Sequence, residues 1–273
     1  MRWIRLALPV LNFALTFLLV NACGGSTVGS GREPAGMPVP ADNRAEQIVA
    51  EYLKRDAAPF RKNRVRFTIT EEGEPVKVYE IDSLRKQSGD ETTTFTQIVS
   101  PPEDSGLGSL TFEGKGKETV VVTYSASRGE FRETGTDKMF FGGLTAGELL
   151  GEWNKFDYKL LGERKIDGRK DLEIEGRLKT TSDSLISRMT VIFRADNYLP
   201  VELHLFGAKG QEIRSIRTTK ISDGGGRAYS ARIEIDNLVY KTHIVIERLT
   251  NEFPEKIDDS MFVREKLKET VKN

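Results

Sequence analysis

Catalysis needs side chains that can hold a proton, a metal or a leaving group, and this sequence offers few of them in workable patterns. Its two histidines are His204 and His243. His204 alternates with Val201, Leu203 and Leu205, which puts it on the polar face of a strand in a structural or solvated role. No H-x-x-x-H or C-x-x-C spacing occurs, so the pattern of a zinc site is missing. "GLGSL" at 106–110 has Leu110 where a nucleophile elbow needs its second glycine. "DGGGR" at 223–227 lacks the Lys-Ser/Thr end of a phosphate loop and reads as a turn between strands. Carboxylates such as Glu71, Glu72, Glu173 and Glu175 fall mostly at outward strand positions. With no catalytic cluster, metal ligand set or cofactor motif in view, the expectation is a non-enzymatic protein.

One reactive group stands apart. Cys23 is the only cysteine, in "LLVNACGGS", where an apolar run meets a glycine-serine segment. The chain starts Met1-Arg2-Trp3-Ile4-Arg5, and a mostly apolar run follows from Leu6 to Val20. About fifteen residues is the length of a secretory h-region and short for a membrane span. Charge, apolar run, Ala22 and Cys23 together resemble a bacterial lipobox, in which the cysteine is acylated and becomes the mature N-terminus. A lone cysteine cannot form an internal disulfide, so the usual reason for cysteine in an exported protein does not apply. Residues 1–22 are therefore expected to be a signal peptide. Residues 23–41 carry "GGSTVGSGREPAGMPVPA" after the cysteine, too poor in apolar side chains to offset the entropy of ordering. They read as a lipidated tether with a mean reach of roughly 20–25 Å. The whole chain has 41 basic and 41 acidic residues, and removing Arg2 and Arg5 leaves a mature charge of about −2. No basic excess exists to displace phosphate counterions, so nucleic acid is not an expected partner.

Residues 42–273 are expected to form one folded domain, large enough to bury a real core. A helix opens it: Ala45, Ile48, Val49, Tyr52 and Leu53 share one face, Asn43 with Glu46 can cap it, and Pro59 stops it. The period then changes to two. In "RVRFTIT", Val65, Phe67 and Ile69 alternate with polar residues, and similar short runs recur to Leu249. Turn signals such as Asp167-Gly168, Asp196-Asn197, Gly207 to Gly210 and Asp223 to Gly226 separate them. A capping box, Thr145 with Glu148, starts a second helix toward Trp153. The fold class is mainly β (α+β): a strongly curved antiparallel half-barrel sheet of about 11–12 strands with covering helices, since that many twisted strands must curl. In "DKMFFGGLT" at 137–145, Met139, Phe140 and Phe141 can be core beneath the second helix. They can equally be a lid or membrane-touching tip hinged on the paired glycines.

The C-terminal half carries an ordered series: "MTVIFRADNYLPVELHLFGAKGQEIRSIRTTKIS", then "YSARIEIDNLVYKTHIVIERLTNEFPEKIDDSMFVREKL", with "MFFGGLTAGELLGEWNKFDYKLLGE" ahead of them. Over Asp82 to Leu267 the chain resembles the outer-membrane lipoprotein-sorting proteins, the LolA/LolB-like family. Asp196, Pro200, Asp258 and Phe262 match best, in turn and anchor roles. The resemblance implies a bent half-barrel whose helices lid an apolar cavity, and a cargo of lipoprotein acyl chains or other amphiphiles. Candidate cavity-lining residues are Val65, Phe67, Ile69, Phe95, Phe112, Val191, Phe193, Leu203 and Leu205. The pattern alone allows each of these to face either a cavity or packed core.

The functional expectation is a lipid-anchored carrier or acceptor in the bacterial cell envelope, held at the membrane through acylated Cys23. Its partners would be a lipidated protein or amphiphilic lipid cargo and a periplasmic donor protein. An anchored family member resembles the receiving partner, at the outer membrane facing the periplasm, and Gly24 in place of aspartate is compatible with outer-membrane sorting. The alternative is an envelope protein-interaction or stress-sensing module of the same fold with a filled core. On the anchor reading, Cys23→Ser moves the protein from the membrane fraction to the soluble fraction of its host. Unchanged fractionation removes the anchor.

Overall fold

The structure, a computed structural model, describes residues 41–55, 58–114, 117–137, 141–150, 153–166, 168–180, 185–224 and 226–271. The expected signal peptide, Cys23 and all of the expected tether but Ala41 lie outside them. So do Met139 and Phe140, and of Phe141 only the backbone is described.

Helix α1 (Ala41–Arg55) opens the domain, and six strands follow: β1 (Phe60–Glu71), β2 (Lys77–Ser88), β3 (Glu91–Ser100), β4 (Gly108–Gly114), β5 (Val120–Ser125) and β6 (Glu130–Thr134). A crossing segment carries the short helix α2 (Ala146–Leu150). Seven strands come next: β7 (Phe156–Ile166), β8 (Arg169–Leu178), β9 (Arg188–Arg194), β10 (Pro200–Phe206), β11 (Glu212–Gly224), β12 (Arg227–Asn237) and β13 (Thr242–Glu252). Helix α3 (Arg264–Val271) closes the order. The strands form one 13-stranded antiparallel sheet in the order β6-β5-β4-β3-β2-β1-β13-β12-β11-β10-β9-β8-β7. The sheet does not close. Register irregularities in the β1–β13, β2–β3, β7–β8, β9–β10, β10–β11 and β11–β12 pairings add local bend and twist.

The order has a simple logic. One meander runs outward from β1 to the β6 edge, and the other starts at the opposite edge, β7, and runs back to β13 beside β1. Only the segment between β6 and β7 joins the two edges, so it must cross the face of the sheet. The strand missing from the sequence reading is β6, "EFRET", which has one apolar residue among charges. Charges suit it to the edge it occupies.

The inner face, on which α1 and α2 lie, carries an apolar stripe set by register. Val191 faces Leu203, Leu203 faces Ile216, Ile216 faces Ile235, Ile235 faces Ile244, and Ile244 faces Ile69. Helix α1 covers the β7–β11 half with Ala45, Ile48, Val49, Tyr52 and Leu53, all buried. It starts at Ala41, so Asn43 lies inside its first turn instead of capping it. Leu144 and Leu149, from the crossing segment, cover the middle of the sheet beside Phe67, Ile235 and Ile244. Toward β5 the same face turns polar and stays buried, with Ser83 opposite Thr96, Thr96 opposite Ser109, and Ser109 opposite Thr123. There the apolar residues point outward instead: Leu84, Phe95, Leu110 and Val122 meet Leu267 of α3 on the outer face. Asp258 caps the turn before α3 through the Ser260 amide at 2.9 Å, which holds its carboxyl below the usual range, and Phe262 packs into this outer cluster.

The crossing segment is pinned to the strand ends. Asn237 Nδ2 and Thr242 Oγ1 donate to the Gly142 carbonyl at 2.7 and 2.8 Å, and Arg214 donates to the Gly143 carbonyl. Both glycines have positive φ, and a Cβ on Gly143 would meet the Tyr240 ring at 2.3 Å. Arg214 is 1 % exposed and also pairs with Glu148 of α2. Burial pushes its guanidinium down to about 10, so it remains charged at neutral pH. The Thr145–Glu148 capping box is formed, with reciprocal bonds of 2.7 and 3.2 Å.

Removing one partner of a buried ion pair strands the other charge. Arg214→Ala is therefore expected to lower unfolding free energy by about 3–5 kcal/mol in urea titration. The double variant Arg214→Met/Glu148→Leu should recover most of that loss. A single-variant loss below about 1 kcal/mol would show that the pin carries little.

Candidate functional site

Between α1, α2 and the inner face of β10–β13 lies a cavity with an empty volume of about 930 Å³, its open mouth included. Its floor is apolar: Val201 and Leu203 of β10, Ile216 of β11 and Ile233 of β12. One wall is aromatic. Tyr52 of α1 stacks edge-on with Trp153 at 5.3 Å between ring centroids, and Trp153 lies 5.8 Å from Phe193. The wall is fixed by Tyr158, whose hydroxyl donates to the Trp153 carbonyl at 2.6 Å. Burial raises the pKa of that hydroxyl, so it stays a neutral donor.

The other end is cationic. Arg61 of β1, Arg227 of β12 and Arg248 of β13 all line the cavity. The Arg61 and Arg227 guanidinium carbons lie 5.7 and 5.4 Å from the Phe253 ring centre, and that of Arg248 lies 5.6 Å from Tyr229. Contact with aromatic faces holds guanidinium groups in place, and Arg61 Nε also donates to Asn251 Oδ1 at 2.8 Å. Two carboxylates also line the cavity. Glu148 is taken up by Arg214 and the Thr145 cap, and Glu202 faces His204 Nε2 at 3.1 Å.

Of the residues expected from sequence, Leu203 lines this cavity. Val191, Phe193 and Leu205 lie beside it, buried under α1, and Val65, Phe67 and Ile69 lie in the central cluster under α2. Phe95 and Phe112 stand on the outer face under α3. His204 and His243 are hydrogen-bonded through Nδ1 to Glu212 at 2.6 Å and Asp236 at 2.7 Å. Among the described residues no group of histidine, cysteine and carboxylate side chains is placed to hold a metal. None of the described helices is long and apolar enough to cross a membrane. The cationic end went unread in the sequence because its three arginines are distant in the chain. The one local signal was Arg227 at the end of the "DGGGR" turn.

The open antiparallel sheet with helices over its inner face defines a LolA-like half-barrel. The chain belongs to the family whose model, described as "-like: Uncharacterized protein", matches residues 89–269. Among curated proteins none matches in sequence. Three solved structures share the fold. A DUF1329 family protein from Desulfovibrio piger superposes with a TM-score of 0.76 at 15 % identity, over 84 % of this chain and 100 % of that one. A protein from Vibrio parahaemolyticus, described as an outer membrane lipoprotein-sorting protein domain, gives 0.75 at 14 % identity, over 83 % and 99 %. A LolA superfamily protein from Nitrosomonas europaea gives 0.67 at 15 % identity, over 81 % and 98 %. At these identities the likeness is one of fold.

Trp153 separates the cavity from the core under α1, and Trp153→Ala should cost about 3–5 kcal/mol in urea titration. A loss under 1 kcal/mol would mean that the wall is not held by packing.

Proposed function

We propose that this protein is a non-enzymatic, lipid-anchored carrier or acceptor of amphiphiles in the bacterial cell envelope. Acyl chains of lipoproteins or of other lipids are its cargo. The observation that carries the proposal is the apolar floor of Val201, Leu203, Ile216 and Ile233 lining the cavity, the first three of them only partly buried. An acyl chain of about sixteen carbons exposes roughly 12 kcal/mol of apolar surface to water, at about 0.8 kcal/mol per methylene. A carrier must cover that surface without fixing it by many specific contacts, because each 1.4 kcal/mol of preference shifts partition about tenfold. A smooth aliphatic floor under an aromatic wall meets both demands. The likeness to a domain described as lipoprotein-sorting supports the same reading. Cys23 would hold the domain at the outer membrane, facing the periplasm, with residues 24–41 as its leash and a periplasmic donor protein as source of cargo.

A second reading, a partner-binding or stress-sensing module, is favoured by the packing of Val65, Phe67, Val191 and Phe193 into closed clusters. The two separate by experiment. On the carrier reading the purified protein binds an uncharged fluorescent acyl probe with saturation, and Leu203→Trp lowers the affinity at least about tenfold. Its melting temperature should move by only a few degrees. Absence of saturable binding in the unaltered protein would favour the partner-binding reading.

A further inference from the structure

The two ends of the cavity differ in chemistry, and the difference specifies the guest. This inference rests on the carrier reading and narrows its cargo. From Ile233 on the floor to Arg227 at the start of β12 is six residues, about 20 Å along the strand. The guanidinium groups of Arg61 and Arg227 share Phe253 as a platform, which places their central carbons within about 11 Å of each other. Arg248 joins them on the same wall. Neither carboxylate of the cavity lining serves this end, since Glu148 and Glu202 have other partners.

Two donors here lack acceptors. Arg227 Nη1 is buried with no hydrogen-bond partner, and so is Asn251 Nδ2. Asn251 is oriented by its own Oδ1, which accepts from Arg61 Nε at 2.8 Å, so its amide nitrogen must present N–H. A buried donor left without an acceptor carries its full desolvation penalty, larger when the group is charged. Arg227 lines the cavity, so an oxyanion held there would accept from its Nη1, and guanidinium forks match carboxylate and phosphate geometry.

We infer that the cavity takes an amphiphile with an anionic head group, a carboxylate or a phosphate, its head at Arg61, Arg227 and Arg248 and its acyl chain on the Leu203–Ile216–Ile233 floor. An uncharged lipid fits the floor but leaves Arg227 Nη1 without an acceptor.

The test is displacement of an uncharged fluorescent acyl probe from the purified protein. The competitors are palmitate, lysophosphatidate and palmityl alcohol, with and without Arg227→Gln/Arg248→Gln. One or both anions should displace the probe at least about tenfold more effectively than the alcohol, as a charge-assisted hydrogen bond provides. Which anion leads tells carboxylate from phosphate. In the double variant the anion advantage over the alcohol should shrink to about twofold, and a retained cooperative melting transition shows that the variant is folded. Equal displacement by anions and alcohol in the unaltered protein would overturn the head-group assignment and leave the carrier reading standing. So would an anion advantage that survives the double substitution. Failure of the uncharged probe to bind would overturn both.

Discussion

A chain that crosses an apolar interior must bring its backbone polar groups with it, and this fold depends on how that problem is met. The two meanders begin and end so that one segment has to run from the β6 edge to the β7 edge. Its Gly142 and Gly143 carbonyls arrive over a surface of isoleucines. Unsatisfied, each would cost a few kcal/mol. Asn237, Thr242 and Arg214 supply the donors, all from the same ends of β11, β12 and β13. Arg214 in turn needs a counter-charge in so dry a place, and Glu148 provides it from the helix that the segment itself carries. Glycine is required at the contact because the segment lies against Ile244 and Tyr240 with no room for a Cβ. This cluster fixes α2, and α2 bounds the cavity.

The opposite ends of the same strands are built differently. There Arg61, Arg227 and Arg248 lie against Phe253 and Tyr229 and line the cavity. One end of β11–β13 thus spends its donors on the crossing segment, and the other lines the cavity with guanidinium groups. Between them lie the aliphatic Val201, Leu203, Ile216 and Ile233 and then, toward the arginines, the hydrogen-bonded hydroxyls of Thr218 and Ser230. Shape, polarity and charge therefore change in order along a single direction, as they do along an amphiphile.

Much of this was legible in the sequence where one rule governed one element. Helix α1 has a single apolar stripe and a single surface to cover, so its five inward residues could be named from spacing. The Thr145–Glu148 box could be named because its bonds are local. Legibility failed where two faces are buried at once. In β3, "TTTFTQIV", the inner face is threonine and the outer face carries Phe95, because α3 covers the outside. Apolar alternation finds the buried side but cannot say which cover buries it. Strand β6 has no alternation to read, and its existence follows from the β5 hairpin. The arginine end is a product of register: Arg61, Arg227 and Arg248 meet only because β1, β13 and β12 are neighbours.

The central claim is that an acyl guest lies on the floor between Trp153 and the arginine end. A crystal structure of the protein soaked with a bromine-labelled fatty acid tests it most directly. An anomalous bromine peak against Leu203, Ile216 and Ile233 is the predicted result. Bromine found only on the outer surface, with the floor covered by the chain's own side groups, would contradict it.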